Sequence, residues 1–180
     1  MNKIKSVAGI KNPYTKRILS NIMGKDPMKV YAQTPQTIKR LTHGLTEAQL
    51  HVTTMERKWS IAQIVHHLCD SELVMGYRYR MALAQSGTKI QAYDQEKWER
   101  HLKYDQSNTK DKIALFVTLR QDHIAMLKKL NKKEWSRYGM HQERGKETIE
   151  RMLQMIAGHD INHVKQVATL RNLVLNNKKK

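Results

Sequence analysis

After Pro35 the chain contains no proline, and through most of that length apolar residues recur every three to four positions. This period matches the turn of an α-helix, not the alternation of a strand. Alternating strand patterns are absent, so the expected fold class is all-α. Four long helices are read from the pattern. The first has Thr34 as N-cap and Pro35 in its first turn, and closes near Gly44. The second opens behind Ser60 and runs to Gly87, the third covers residues 113–130, and the fourth begins at Thr148 and runs through residue 175. A short helix is expected around residues 14–23. Residues 86–108 are polar and too long for a tight turn, with room for one short helix in "DQEKWERHL". The layout is that of a four-helix bundle with a long crossover between the second and third helices. No repeat or linker divides the chain. Residues 1–180 are read as a single helical-bundle domain with a basic N-terminal extension of about 1–25, long enough for one core.

The last helix carries "GHDINHVKQV". On a helical wheel Ile149, Met152, Ile156, His159, His163, Val167 and Leu170 fall on one stripe, which should face the core. Two imidazoles thus stand where leucines would be expected. An unpartnered buried polar group costs roughly 1–3 kcal/mol. The pair therefore needs either hydrogen-bond partners or a metal. The spacing is close to HExxH, but the acid is Asp160, one methylene short of the glutamate that zinc proteases use as general base. No His, Asp, Glu or Cys follows His163. A downstream third ligand is thereby excluded, and so is the protease reading.

A third ligand must come from another helix. In the second, "IVHHLCDSE" places His67 at the flank of the apolar stripe Ile61, Ile64, Val65, Leu68 and Met75, and turns His66 toward solvent. His67, His159 and His163 make a three-histidine set that leaves a coordination position open, the catalytic pattern for zinc. Imidazole also suits nickel, iron and copper.

In order, "KWSIAQIVHHLCDSE", "IQAYDQEKW", "HQERGKETIERML" and "GHDINHVKQV" resemble the motifs of the DinB/YfiT-like superfamily of metal-dependent enzymes, over most of the chain from "DPMKVYAQTP" to "HVKQV". The resemblance implies a four-helix bundle with a histidine triad, carried over to His67, His159 and His163. It also implies a divalent metal, with zinc or nickel first and iron as a further option. Homodimers are common in the family. Its members include hydrolases and S-transferases that use low-molecular-weight thiols such as bacillithiol or mycothiol. One branch often reads His-His-x-x-Asp-Ser-His; here Glu72 replaces the last histidine.

Around the triad, Asp160 is either an acceptor for a ligand imidazole or a surface carboxylate paired with a lysine. Gln166, three residues past His163, is within reach of the site. Asp70 is read as facing water, Trp59 as packing before the N-cap, and Cys69 as a small packed residue. Tyr93, Trp98 and His101 lie in the crossover, where they are either loop residues or a cover over the site. His43, His51, His123 and His141 are read as surface residues.

The net charge of +17 lies in the outer thirds, while residues 59–108 are neutral. The single cysteine excludes an internal disulfide, and no apolar run is long enough to span a bilayer. A cytoplasmic protein with a small-molecule substrate and no membrane partner is expected. The favoured function is a metal-dependent hydrolase or thiol S-transferase. The alternatives are a non-catalytic metal-binding bundle and a basic nucleic-acid-binding protein. Scattered lysines without interleaved aromatics contact phosphates and do not read bases. DNA or RNA binding is therefore expected to be weak, salt-sensitive and sequence-blind in filter-binding assays. A sequence-specific complex that persists at physiological salt would contradict this.

Overall fold

The computed structural model describes residues 3–53 and 58–176. Helix α1 (Pro13–Ile22) precedes α2 (Pro27–Thr42), the short α3 (Glu47–Leu50) and α4 (Ile61–Ala84). Strand β1 (Thr88–Ile90), α5 (Gln95–His101) and a single 3-10 turn at Tyr104–Gln106 form the crossover. Then come α6 (Thr109–Leu127), the short α7 (Lys132–Trp135), the hairpin β2 (Tyr138–His141) and β3 (Gly145–Thr148), and α8 (Ile149–Asn176). Helices α2, α4, α6 and α8 are the four long helices of the expected bundle. The closing lysines 178–180, counted in the basic excess, lie outside the described residues.

Three local differences have physical reasons. Helix α2 starts eight residues before Pro35, because Asp26 accepts hydrogen bonds from the Met28 and Lys29 N–H groups and Pro27 fills the first helical position. Pro35 therefore lies inside the helix, where its missing N–H leaves the Tyr31 carbonyl without its helical donor. Helix α6 begins at Thr109, four residues earlier than the apolar period, because Asn108 caps the Lys110 and Asp111 N–H groups. The three-stranded sheet has no counterpart in the sequence reading, since strands of three or four residues are too short to display an alternation. In it β1 pairs parallel with β2, Thr88 beside Gly139, and β2 pairs antiparallel with β3, Tyr138 beside Thr148.

Within the basic N-terminal stretch, α1 buries Ile18, Leu19 and Ile22 in the core beside Met152, Leu153 and Ile156 of α8. The two backbones nearly touch. A Cβ on Gly158 would lie 2.2 Å from the Ile18 carbonyl oxygen, so only glycine permits this crossing. Asn21 fastens it by donating to the Gly158 carbonyl at 3.2 Å.

At mid-bundle sits a buried polar network. Arg120 of α6, 1% exposed, donates to Asp160 Oδ2 of α8 at 2.8 Å and lies 2.9 Å from Glu72 Oε2 of α4. It also donates to the Tyr31 carbonyl that Pro35 left free. The Tyr31 ring lies 3.6 Å below the guanidinium carbon. Glu72 accepts further from the Tyr31 hydroxyl and lies 2.6 Å from His123 Nδ1. His123 is thus buried against Glu72, not on the surface, because the packing of α6 on α4 turns its face inward. Burial works against both charges. Even so, Arg120, His123 and Tyr31 hold the Glu72 carboxyl below the usual carboxylate range, and Asp160 and Glu72 raise the Arg120 pKa. Removing one partner of such a network leaves uncompensated buried charge. Arg120→Met is expected to destabilise the fold by about 3–5 kcal/mol in urea unfolding. A loss below about 1 kcal/mol, the worth of an exposed ion pair, would contradict this assignment.

Candidate metal centre

Helix α4 starts in a capping box: the Ser60 hydroxyl accepts from the Gln63 N–H at 3.2 Å, and Gln63 accepts from the Ser60 N–H at 2.7 Å. His67 stands two turns in, 1% exposed. On α8 all seven residues of the predicted stripe are buried, so His159 and His163 face inward. Thr148 caps this helix by accepting from the Arg151 N–H at 3.1 Å.

The three imidazoles converge. His67 Nε2 lies 3.0 Å from His159 Nε2, and His163 Nε2 lies 3.1 Å from the same atom. One ring nitrogen from each of the three lies within 4.8 Å of the other two. Burial, followed by the charge of the neighbouring rings, pushes the pKa of His67 and His159 well below the ordinary value. Burial takes His163 down to about 4, with a hydrogen bond to the Gln166 side chain working the other way. Near neutral pH the rings are therefore uncharged. A neutral imidazole carries one N–H, and one N–H on the shared His159 Nε2 can satisfy only one of its two neighbours. If the protons sit on Nδ1, three lone pairs point at one another. A cation among the Nε2 atoms resolves this conflict, and three imidazoles are a donor set that fits a divalent transition metal.

The predicted neighbours fall out differently. Asp160 does not bond a ligand imidazole. One residue round the helix from His159, it faces α6 and is taken by Arg120. Among the described residues, Nδ1 of His67 and of His159 has no hydrogen-bond partner. His66 is not turned to solvent. It is 5% exposed, stacks on Tyr104 with ring centres 3.8 Å apart, and its Nε2 lies 3.7 Å from Asp70 Oδ2. Asp70 is buried as well and accepts from the Tyr104 hydroxyl at 2.6 Å. The reason is tertiary: the crossover's 3-10 turn covers the face of α4 that a wheel leaves open. The Trp59 ring packs against His67 at 4.9 Å. Cys69 is buried and its thiol is pushed up to about 12, chiefly by burial, so it is no nucleophile. His43 and His101 are exposed, and His51 is half-buried against Glu47.

Sequence reasoning missed Ser71, Arg78 and His141. Ser71 Oγ lies 3.4 Å from His67 Nε2 and 3.0 Å from the Tyr93 hydroxyl, and Tyr93 in turn packs on Trp98 at 4.7 Å. The crossover thus reaches the imidazoles through Tyr93. A cavity of about 260 Å³ opens beside His159, bordered by Ser71, Arg78, Tyr93, His141 and Arg144. Ser71 and Arg78 lie four and eleven residues past His67, a helical spacing that could have marked them. His141 is buried at the end of β2, a strand the periodicity did not reveal.

Residues 31–167 match the family model described as the DinB superfamily. YfiT of Bacillus subtilis, named as a proposed metal-dependent hydrolase, is 25% identical over 145 residues, which is 79% of this chain and 81% of that protein. A proposed metal-dependent hydrolase of Oceanobacillus iheyensis is 22% identical over 152 residues, 84% of this chain and 88% of its own. The solved structure of Bacillus subtilis YfiT, described as a proposed hydrolase of unusual four-helix-bundle topology, superposes with a TM-score of 0.75 at 21% identity. It covers 94% of this chain and 93% of that one.

His141 gives the site's border a pH dependence. Burial, with Arg144 nearby, lowers its pKa to about 4, whereas an unfolded chain protonates it near 6.5. Between these values the unfolded state binds the proton and the native state does not, so stability falls as pH drops from about 6.5 to about 4. His141→Gln is expected to flatten this part of the acid limb in urea unfolding. An unchanged slope would contradict the assignment.

Proposed function

Because the chain belongs to the DinB superfamily, we propose that it is a metal-dependent hydrolase of a small molecule, with one divalent ion held by His67, His159 and His163. The observation that carries this reading is the convergence of three buried Nε2 atoms on one point at the wall of an open cavity. The names given to its relatives support it. Imidazole donors favour zinc or nickel, with iron next. Bound there, the ion would supply a Lewis acid that makes water a nucleophile near neutral pH.

The chain's own groups have separate tasks. Being neutral, the imidazoles contribute no negative charge to the centre. Trp59 packs on His67 and limits its ring to one orientation. Burial raises the Tyr93 pKa, so its hydroxyl keeps its proton and serves as a hydrogen-bond donor at the cavity wall. Ser71 sits between this hydroxyl and His67 Nε2, where it can relay that donor toward a substrate oxygen. A thiol in place of the water would give the transferase chemistry of other family members.

Metal analysis of the purified protein is expected to find one divalent ion per chain. The ion should be lost in His67→Ala, His159→Ala and His163→Ala and kept in His66→Ala, whose ring belongs to the Tyr104–Asp70 cluster. Hydrolysis of activated esters or amides should disappear with the ion. A protein that takes up no divalent ion near neutral pH would overturn the reading. Activity seen only with an added small thiol would reassign the site to thiol transfer.

A further inference from the structure

The cavity beside His159 contains two arginines of different standing. Arg144 is matched: its Nε and Nη2 donate to the two carboxylate oxygens of Glu147 at 2.7 and 3.0 Å. Arg78 is not. It is 7% exposed and, among the described residues, forms no ion pair. Its Nη2 donates to the Gln91 carbonyl at 2.8 Å, and its guanidinium carbon lies 5.9 Å from the Tyr93 ring centre. A guanidinium has five N–H donors and stays charged. One carbonyl and one ring leave that charge without a direct ion pair; Glu147, the carboxylate that acts on it through space, is already bonded by Arg144. Burial lowers the Arg78 pKa and the neighbouring Arg144 lowers it further, while Glu147 offsets only part of this. Folding has thus placed a cation where the surroundings disfavour it, at the wall of a cavity that reaches the imidazoles.

The position along α4 is also informative. His67, Ser71, Val74 and Arg78 lie on one stripe of the helix. From Ser71, which touches His67, to Arg78 is seven residues, or about 10 Å of helical rise. His67 thus stands toward one end of this stripe and the guanidinium, which lacks an ion pair, toward the other, with His159 and Arg78 both lining the cavity.

We propose that this cavity takes a small substrate bearing an oxyanion, a carboxylate or a phosphate, and that Arg78 binds this group so that the rest of the molecule lies at the imidazole cluster. Planar N–H pairs match both kinds of oxyanion. Arg78 is then the specificity-determining residue of the site. The proposal rests on reading the imidazole cluster as the reaction centre.

The test titrates the full purified chain with inorganic phosphate and, separately, with succinate, at roughly pH 8, where free imidazole is neutral. Calorimetry is run on the wild type, Arg78→Gln and Arg78→Lys, with metal content and unfolding midpoint measured for each. The wild type is expected to bind at least one of the two anions saturably; which one it prefers names the oxyanion. Arg78→Gln is expected to weaken that binding fivefold or more at unchanged metal content. A smaller loss, or no saturable binding to the wild type, overturns the proposal. If Arg78→Gln unfolds earlier because it loses the Gln91 bond, Arg78→Lys decides. This variant keeps the charge and should bind at least fivefold better than Arg78→Gln; equal weakness overturns the proposal. An Arg78-dependent anion site in a chain that holds no metal would leave the subsite standing and remove the hydrolase reading. A metal-loaded chain indifferent to Arg78 would do the reverse.

Discussion

The structure depends on one buried cation. Arg120 on α6 meets Asp160 on α8, Glu72 on α4 and the Tyr31 carbonyl on α2, so each long helix of the bundle contributes a group. Apolar packing alone tolerates small rotations of a helix, because one methyl group replaces another at little cost. A guanidinium with a fixed fork of donors does not. A rotation that moves either carboxylate away leaves a buried charge unpaired. The network also absorbs the defect in α2, since the carbonyl that Pro35 orphans is the one Arg120 takes.

This constraint explains how three imidazoles from two helices come to one point. Asp160 is adjacent to His159, and Glu72 lies five residues past His67. Pinning the two carboxylates to one guanidinium fixes the rotation of α4 against α8, and the Nε2 atoms meet at 3.0 and 3.1 Å as a consequence. The core then holds two polar clusters of opposite character. Around Arg120 charge meets charge. Among the histidines burial keeps every ring neutral, and the facing nitrogens lack a partner that protein atoms alone could provide.

The crossover turns this arrangement into a site. Tyr104 settles between Asp70 and His66, which seats the segment on α4, and Tyr93 then reaches Ser71 beside His67. On the other side the sheet carries His141 to the cavity wall, with Arg144 and Glu147 joined beside it. Among the described residues no helix is long and apolar enough to cross a membrane.

The sequence by itself determined the helical class, the four long helices, the capped start at Ser60, the start of the last helix at Thr148, and the inward stripe with His159 and His163. All of these follow from local rules: a period, a cap, a spacing. It also singled out His67, because the flank of an apolar stripe is visible on a wheel. Only the tertiary structure decided what lies against each face. His66 and Asp70 are polar and sit off the apolar stripe of α4, so the wheel assigns them to water; the crossover buries them. His123 looks like a surface residue, and Asp160 like either an acceptor for a ligand imidazole or a surface carboxylate, until α6 packs on α4 and α8 and Arg120 reaches the two carboxylates. Arg78 is one more charge on a basic chain, and only its burial without a direct ion pair among the described residues distinguishes it. The physical reason is the same in each case. Secondary structure depends on neighbours a few residues apart, whereas the burial and pairing of a polar group depend on atoms from distant segments, such as Asp70 with Tyr104 and Arg120 with Asp160.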